Sequence, residues 1–324
     1  MDKNKQAILL LCARFSTTEK GAPTPLTALE YGRFASWLKD SQLQPKDLFD
    51  KDIIDKCLQQ WQDPKGKITA DRLQYLMGRG LAMGLAVDKW HSAGIWILPR
   101  SDKDYPERLK KKLGHAAPAL LFGVGNQKLL NAGGLAVVGS RNIGKSDTIY
   151  TQQIAQQAAL EGLNIVSGGA RGVDETSMLA ALEADGNALG VLANDLFKSA
   201  VAGKWRKYLK NGQLVLVSTI YPEARFQVGN AMARNKYIYT LADNALVVRS
   251  EKDTGGTWAG AKENLKNTWT PLFVASPSSA EGNEALVSKG AKQVEVINEG
   301  DTATNWLTAQ LDGKPVEQKQ AASG

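Results

Sequence analysis

The sequence has few cysteines and histidines, the residues that form disulfides and bind metal ions in small proteins. It contains two cysteines, Cys12 and Cys57, which lie far apart and form no CxxC pair, and two histidines, His91 and His115. A disulfide framework, a structural zinc site and a histidine-rich metal site are therefore excluded. No run of about 20 apolar residues is present, so no segment is predicted to span a membrane.

The N-terminus loosely imitates a secretory signal, because Lys3 and Lys5 precede a short apolar run over 7–13. Arg14 ends that run at once, and no convincing small-x-small cleavage site follows it. We interpret the run as a buried helix of the first domain. We accordingly expect a cytoplasmic protein.

The composition is that of an ordinary folded chain. The 324 residues suggest about two domains, and 43% apolar with 23% charged residues excludes a wholly disordered protein. The 40 basic residues against 33 acidic ones give a net charge of +7, which permits a nucleic-acid partner without requiring one.

The periodicity of the chain divides it into three parts. Residues 1–112 are predicted to form an N-terminal helical domain with a short connecting strand near 94–99. Residues 113–300 alternate short apolar runs with helical patterns, which predicts an α/β, Rossmann-like, doubly wound and mostly parallel sheet. Residues 301–324 are predicted to be a partly disordered C-terminal tail. The predicted strands of the sheet are 135–138, 164–166, 188–192, 214–217, 245–248 and 272–274.

A first glycine loop (139–146) follows the predicted strand 135–138. Gly139, Ser140 and Arg141 begin it, and Gly144, Lys145 and Ser146 complete the spelling of a P-loop. No strand ending in an aspartate supplies the second half of an ATPase site. We favour a phosphate-binding turn at a helix N-terminus, with Arg141 directed at an anion. The alternatives are a plain strand–helix turn with a solvated Arg141, and a true P-loop.

Two more glycine-rich segments follow predicted strands, where ligands of a doubly wound sheet bind. The second glycine loop (167–174) contains Ser167, Gly168, Gly169 and Arg171, and it ends at Asp174, which we interpret as a helix cap. The third glycine turn (254–257) contains Gly255, Gly256 and Thr257, and it opens a helix that carries Trp258.

Two basic stretches include aromatic residues, the combination that single-stranded nucleic acids bind. The first, 198–210, has five cations around Trp205 and Tyr208 and no acid, and we favour a solvated helix face with a buried tryptophan as its explanation. The second has Phe226 followed by Arg234, Asn235 and Lys236. Paired catalytic carboxylates, a Cys–His pair and a GxSxG elbow are absent, so we expect no catalytic residue, metal or cofactor.

These segments together resemble the DprA (Smf) family of DNA-processing proteins. The resemblance is carried by 95–98, 104–109 and 118–126, then by Val137 to Arg141, 166–174, 234–238 and 254–257. It is to a divergent branch without the C-terminal winged-helix module that many members have.

The resemblance implies a single-stranded DNA-binding protein that is not an enzyme. Members form homodimers, protect incoming strands and assist the loading of a RecA-type recombinase. Carried over, the anion-binding arginine is Arg141, the basic element is Arg234 and Lys236, and the aromatic residue is Phe226. The resemblance also leaves open a nucleotide-sensing protein or a base-releasing hydrolase of the same superfamily, with Glu263 as its acid.

Overall fold

The computed structural model describes residues 1–15, 21–60, 62–276, 280–294 and 305–313. Its helices are α1 Lys3–Cys12, α2 Ala28–Asp40, α3 Lys51–Gln60, α4 Ala70–Met77, α5 Gly80–Ser92, α6 Glu107–Leu113, α7 Lys145–Leu160, α8 Val173–Glu183, α9 Leu196–Val201, α10 Gly203–Lys210, α11 Val228–Leu241, α12 Gly255–Asn267, α13 Glu281–Val287 and α14 Trp306–Asp312. Its strands are β1 Trp96–Pro99, β2 Leu120–Gly125, β3 Leu135–Val138, β4 Ile165–Ser167, β5 Ala188–Leu192, β6 Leu214–Ser218, β7 Asn244–Val247, β8 Leu272–Ala275 and β9 Lys292–Val294.

The chain forms two compact units, and neither is a single continuous stretch. The first comprises residues 1–124, 194–201 and 218–225, and the second comprises 125–193, 202–217 and 226–324. The domain boundaries predicted at 112 and 300 remain predictions, because compactness alone does not test which stretch folds independently.

The first unit is mainly helical, as the sequence predicts for residues 1–90. The apolar run near the N-terminus forms α1, in which Ala7 to Leu11 are all buried. Strands β1 and β2 form an antiparallel pair, and Trp90 packs edge-on against Phe122 with ring centroids 5.2 Å apart. The indole nitrogen of Trp90 donates to Glu223 at 2.7 Å, which attaches the late segment 218–225 to this core.

The second unit contains a sheet with the strand order β6-β5-β4-β3-β7-β8-β9. The pairs β3–β4, β3–β7, β4–β5, β7–β8 and β8–β9 are parallel. Every residue of β3, β5 and β6 is buried, as expected of strands covered by helices on both faces. The predicted Rossmann-like α/β fold is confirmed.

The strand order creates one special position in this sheet. After β3 the chain continues to β4, β5 and β6 on one side, and β7, β8 and β9 lie on the other side. Such a reversal opens a crevice beyond the carboxyl ends of the two strands where it occurs, here β3 and β7.

The described part of the predicted tail is the helix α14. Trp306, Leu307 and Leu311 are buried, and the backbone N–H groups of Leu307 and Thr308 donate to the Glu161 carboxylate at 2.8 and 2.7 Å. Residues 301–304 and 314–324 of that prediction lie outside the described ranges. None of the helices within those ranges is long and apolar enough to cross a bilayer.

Candidate functional site

The first glycine loop (139–146) lies at the carboxyl end of β3 and is held to the end of β7. The Ser140 N–H donates to the Arg249 carbonyl at 2.9 Å, and the Ser140 hydroxyl accepts from the Asn142 N–H at 3.1 Å. This turn leaves Arg141 exposed at the crevice. The Arg141 guanidinium carbon lies 5.1 Å from the centroid of the Phe226 ring, which is 46% exposed. A cation and an aromatic ring are therefore available together to a ligand.

The start of α7 is occupied by an acid of the protein itself. The Gly144 N–H donates to the Asp147 carboxylate at 3.1 Å, and the same carboxylate lies 3.5 Å from the Arg249 guanidinium. Asp147 thus places a negative charge at the helix start where a P-loop would bind phosphate. Lys145 is exposed beside it as the first residue of α7.

The second glycine loop (167–174) is packed against the first. Ser167 is buried, and its hydroxyl donates to the Val137 carbonyl at 2.6 Å, so it supports the sheet rather than facing a ligand. A Cβ on Gly168 would overlap the Arg234 guanidinium, which explains why glycine is required there. Arg171 is exposed and donates to the Asn142 side chain at 2.7 Å, which joins the rims of the two loops.

Asp174 has a different role from the predicted helix cap. Gly172 is the N-cap of α8, and the buried Asp174 carboxylate accepts hydrogen bonds from the backbone N–H groups of Ala170 and Gly139. Burial raises the pKa of Asp174 above its ordinary value, and the nearby Arg234 partly offsets that rise. Asp174 therefore fixes both glycine loops from inside the protein.

Arg234, which the sequence predicts as part of the basic DNA-binding element, is buried. Its guanidinium donates to the Val191 carbonyl at 2.7 Å, and its Nε has no hydrogen-bond partner. Burial lowers the pKa of Arg234, and the Asp174 charge opposes that shift. The sequence does carry a signal for this position, because Tyr237, Ile238 and Leu241 follow Arg234 on the same buried face of α11.

Asn235 and Lys236, the other two residues of the predicted basic element, have different surroundings. Asn235 donates to the Gly256 carbonyl at 2.9 Å and so connects α11 to the third glycine turn (254–257). Lys236 is half-buried, and its ammonium lies 5.1 Å from the ring centroid of the adjacent Tyr237.

The third glycine turn opens α12 without a side-chain cap. Thr254 is the N-cap residue and makes no capping hydrogen bond through its side chain, and Gly255 has a φ of +78°. The first N–H groups of a helix that has no cap are available to an anion.

A cavity of about 440 Å³ lies where the strand order predicts the crevice, and we call it the switch-point cavity. It contains charged and polar groups from both strand ends within a largely apolar wall. Its lining residues are Val138, Gly139, Ser140, Arg141, Ala170, Asp174, Phe226, Val228, Ala231, Met232, Arg234, Asn235, Ile238, Tyr239, Arg249, Ser250, Glu251, Thr254, Gly255, Gly256 and Thr257.

A second, more open hollow of about 880 Å³ is formed around the first glycine loop and includes Arg141, Arg171 and Arg249. Nine predicted site residues line the switch-point cavity and Arg171 lines the outer hollow, whereas Lys145, Ser167, Gly168, Gly169 and Lys236 line neither. Arg249 was not predicted as a site residue, although its place directly after the buried β7 run could have indicated it.

The electrostatics of this region favour an anion. Three arginines, Arg141, Arg234 and Arg249, line the cavity with two acids, Asp174 and Glu251. Within the described residues, no group of three His, Cys, Asp or Glu side chains is arranged to hold a metal ion.

The comparisons with known proteins agree on one family. The family model for DNA recombination-mediator protein A matches residues 96–303. DNA processing protein DprA of Bacillus subtilis is 29% identical over 215 residues, which is 63% of this chain and 70% of the relative. DNA processing protein DprA of Streptococcus pneumoniae is 31% identical over 182 residues, which is 55% of this chain and 64% of the relative.

Solved structures show the same fold. The X-ray structure of DprA from Streptococcus pneumoniae covers 84% of this chain and 95% of its own, with a TM-score of 0.58 and 22% identity. A structure of DNA processing protein A from Helicobacter pylori, described for its single-stranded DNA binding mode, covers 68% of this chain and 97% of its own, with a TM-score of 0.55 and 23% identity. Because the family model matches well over half of the sequence, the chain belongs to the family of DNA recombination-mediator protein A.

Proposed function

We propose that this protein binds single-stranded DNA at the switch-point cavity and the outer hollow, without strong sequence preference. The observation that carries the proposal is the exposed pair of Arg141 and Phe226, in which a guanidinium and an aromatic ring lie 5.1 Å apart at the carboxyl end of β3. Single strands bind through phosphates on cations and bases on rings, and this pair offers both. The single-strand binding described for the Helicobacter pylori relative supports the same function.

The remaining roles are proposed from membership of the family. We propose that the protein acts as a homodimer, protects single strands and assists the loading of a RecA-type recombinase in DNA uptake, recombination or a related process. Family membership supports these roles, and they depend on the strand binding proposed above.

We also propose that the protein is not an enzyme. Glu263, the acid that a base-releasing hydrolase of this superfamily would use, is exposed on α12 and does not line the switch-point cavity. Asp147 occupies the start of α7, where a P-loop would hold a phosphate. We expect no ATP turnover and no base release from mononucleotides; magnesium-dependent ATP hydrolysis abolished by Lys145→Ala would overturn this proposal.

A second candidate is the sensing of a mononucleotide, and one observation favours it. The switch-point cavity holds about 440 Å³, contains the unpartnered Nε of Arg234 in its wall and receives the uncapped start of α12. That volume is within the range of small-molecule sites.

Binding measured against oligonucleotide length separates the two candidates. We expect fluorescence anisotropy to show tighter binding of a labelled single strand than of its duplex, and affinity that rises with length. The logarithm of the affinity should fall linearly with the logarithm of salt concentration, by about 0.7 for each phosphate neutralised. Equal affinity for duplex, or binding insensitive to salt, contradicts strand binding, whereas saturation by a mononucleotide with no length dependence supports sensing.

A further inference from the structure

The strongest feature outside the proposed site is a basic face on α10. The helix carries Lys204, Arg206, Lys207 and Lys210, all of them exposed, and the chain has no acidic residue between Asp195 and Glu223. Trp205 and Tyr208 of the same helix are buried.

The buried aromatic residues fix the direction of the charges. Successive residues of a helix are rotated by roughly 100°, so Arg206, Lys207 and Lys210 fall within an arc of about 100° on the side opposite Trp205 and Tyr208. We call these three side chains the α10 basic face. A helix anchored by two large rings therefore presents three cations to solvent in one direction.

The helix dipole accounts for only part of these charges, because Lys207 and Lys210 lie in the last turn, where a cation stabilises the helix. Lys204 and Arg206 lie in the first turn, where a cation opposes the helix dipole. Lys204 is compensated by Glu175 at 2.7 Å. Within the described part of the chain, Arg206 and Lys210 form no ion pair, and the Lys207 ammonium lies 5.5 Å from the ring centroid of its neighbour Tyr208.

A series of hydrogen bonds connects α10 to the proposed site. Asn142 of the first glycine loop accepts from Arg171 of the second, and the Glu175 N–H, just beyond that loop, donates to the Ala170 carbonyl at 3.0 Å. The Glu175 carboxylate then holds Lys204 at the start of α10. From this contact at its first turn, α10 continues to Lys210 and is about 12 Å long at 1.5 Å per residue.

We propose that the α10 basic face binds the backbone phosphates of a single strand that has already engaged the glycine loops, and so extends the binding site along the side of the sheet. This inference rests on the proposed function, because it needs a strand in the primary site. The partner is the continuing strand itself, since three cations without an ion pair among the described residues, on a helix bonded to the glycine loops through Glu175, suit a polyanion better than a single anion.

The test compares two triple variants with the wild type at two oligonucleotide lengths. The test variant is Arg206→Gln, Lys207→Gln and Lys210→Gln, which leaves Trp205 and Tyr208 in place. The control variant is Lys266→Gln, Lys289→Gln and Lys292→Gln, which removes three exposed cations at the β8–β9 end of the same sheet. Single strands of about 5 and about 20 nucleotides bracket the site sizes of single-strand binding modules.

We expect the test variant to bind the long strand about tenfold more weakly than the wild type, as three surface ion pairs would give. Its salt slope on the long strand should fall by about 2, at about 0.7 for each phosphate that the variant no longer neutralises. Its affinity for the short strand should equal that of the wild type, and the control variant should match the wild type at both lengths.

The other outcomes show whether the α10 proposal or the proposed strand binding is wrong. Equal losses in the test and control variants overturn the α10 proposal, because they show only the effect of net charge. Equal losses for short and long strands overturn it as well, because α10 would then belong to the primary site. Failure of the wild type to bind either strand contradicts the proposed function instead, and thermal unfolding of both variants checks that the fold is intact.

Discussion

Two helices begin at the crevice of this protein, and they treat an anion in opposite ways. At the start of α7, the Gly144 N–H is bonded to the Asp147 carboxylate, and Arg249 lies beside that acid. At the start of α12, Thr254 gives no side-chain cap and Gly255 begins the helix with a positive φ. We call the first start closed, because the protein's own acid lies there and takes one N–H group, and the second open, because α12 has neither a side-chain cap nor an acid in its first turn.

The comparison shows that the spelling of a glycine loop does not decide whether it binds phosphate. The first loop matches the P-loop pattern in full, yet an acid three residues after Gly144 meets the helix start. The third glycine turn matches no such pattern, and its helix start is available to a ligand.

The largest expected effect tests the scaffold that holds both glycine loops beside these helices. Asp174→Ala removes the acceptor for the N–H groups of Gly139 and Ala170 and leaves the buried Arg234 unpaired. We expect a loss of about 3–5 kcal/mol in the free energy of unfolding, measured by urea denaturation. Adding Arg234→Met should recover part of that loss, because the pair is then replaced by apolar groups; no recovery would contradict a shared role.

Arg141→Ala tests the exposed cation between the two helix starts. Loss of a charge-assisted bond to phosphate is worth about 1.5–3 kcal/mol, or roughly ten- to a hundredfold in affinity for a single strand. Lys145→Ala is the matched control from the same loop, and we expect a smaller loss because Lys145 lines neither cavity. If Lys145→Ala has the larger effect, then the closed helix start is the true phosphate site.

Gly255→Ala tests the open start directly. An alanine in the left-handed region costs about 1–2 kcal/mol, and this strain would disturb the first N–H groups of α12. We expect weaker strand binding together with a lower unfolding midpoint. Gly229→Ala is the control, since Gly229 lies in the first turn of α11 with open space around it, and there alanine should be neutral or slightly stabilising.

Asp147→Ala should open the closed start. Loss of the bond from Gly144 is expected to cost about 1 kcal/mol of stability, as for other N-terminal helix caps. The freed Gly144 N–H and Arg249 should then bind inorganic phosphate, so the melting temperature of the variant should rise with phosphate more than that of the wild type. An identical phosphate response in the two proteins would show that Asp147 does not block an anion site.

The sequence predicts the centre of the sheet well and its margins poorly. The strands β3 and β5 are observed with the predicted bounds, because each is a continuous apolar run buried on both faces. The strand β9, Lys292–Val294, was not predicted, because two of its three residues are exposed at the sheet edge and carry no apolar pattern. The strand β2 was also not predicted. Gly123 interrupts its apolar run, and its antiparallel partner β1 lies outside the regular alternation of strands and helices that follows it.

For the candidate site, the sequence predicts where the loops lie better than it predicts which of their side chains are exposed. The loops that follow β3, β4 and β7 are brought together as expected, because parallel strands end at one edge. Phe226 lies beside Arg141 even though 85 residues separate them, and only the folded chain shows that proximity. The burial of Arg234 was not predicted, because the charge of its side chain obscured the helical position that it shares with Ile238.

The discontinuity of the first unit has a consequence during synthesis. Its core includes the bond from Trp90 to Glu223, so residues 1–124 emerge from the ribosome before the segment that completes them. At about 5–20 residues per second, roughly 5–20 s pass before residue 225 is made. During that interval the early helices lack part of their native packing, and truncated chains that end near residue 124 should be the forms most dependent on chaperones.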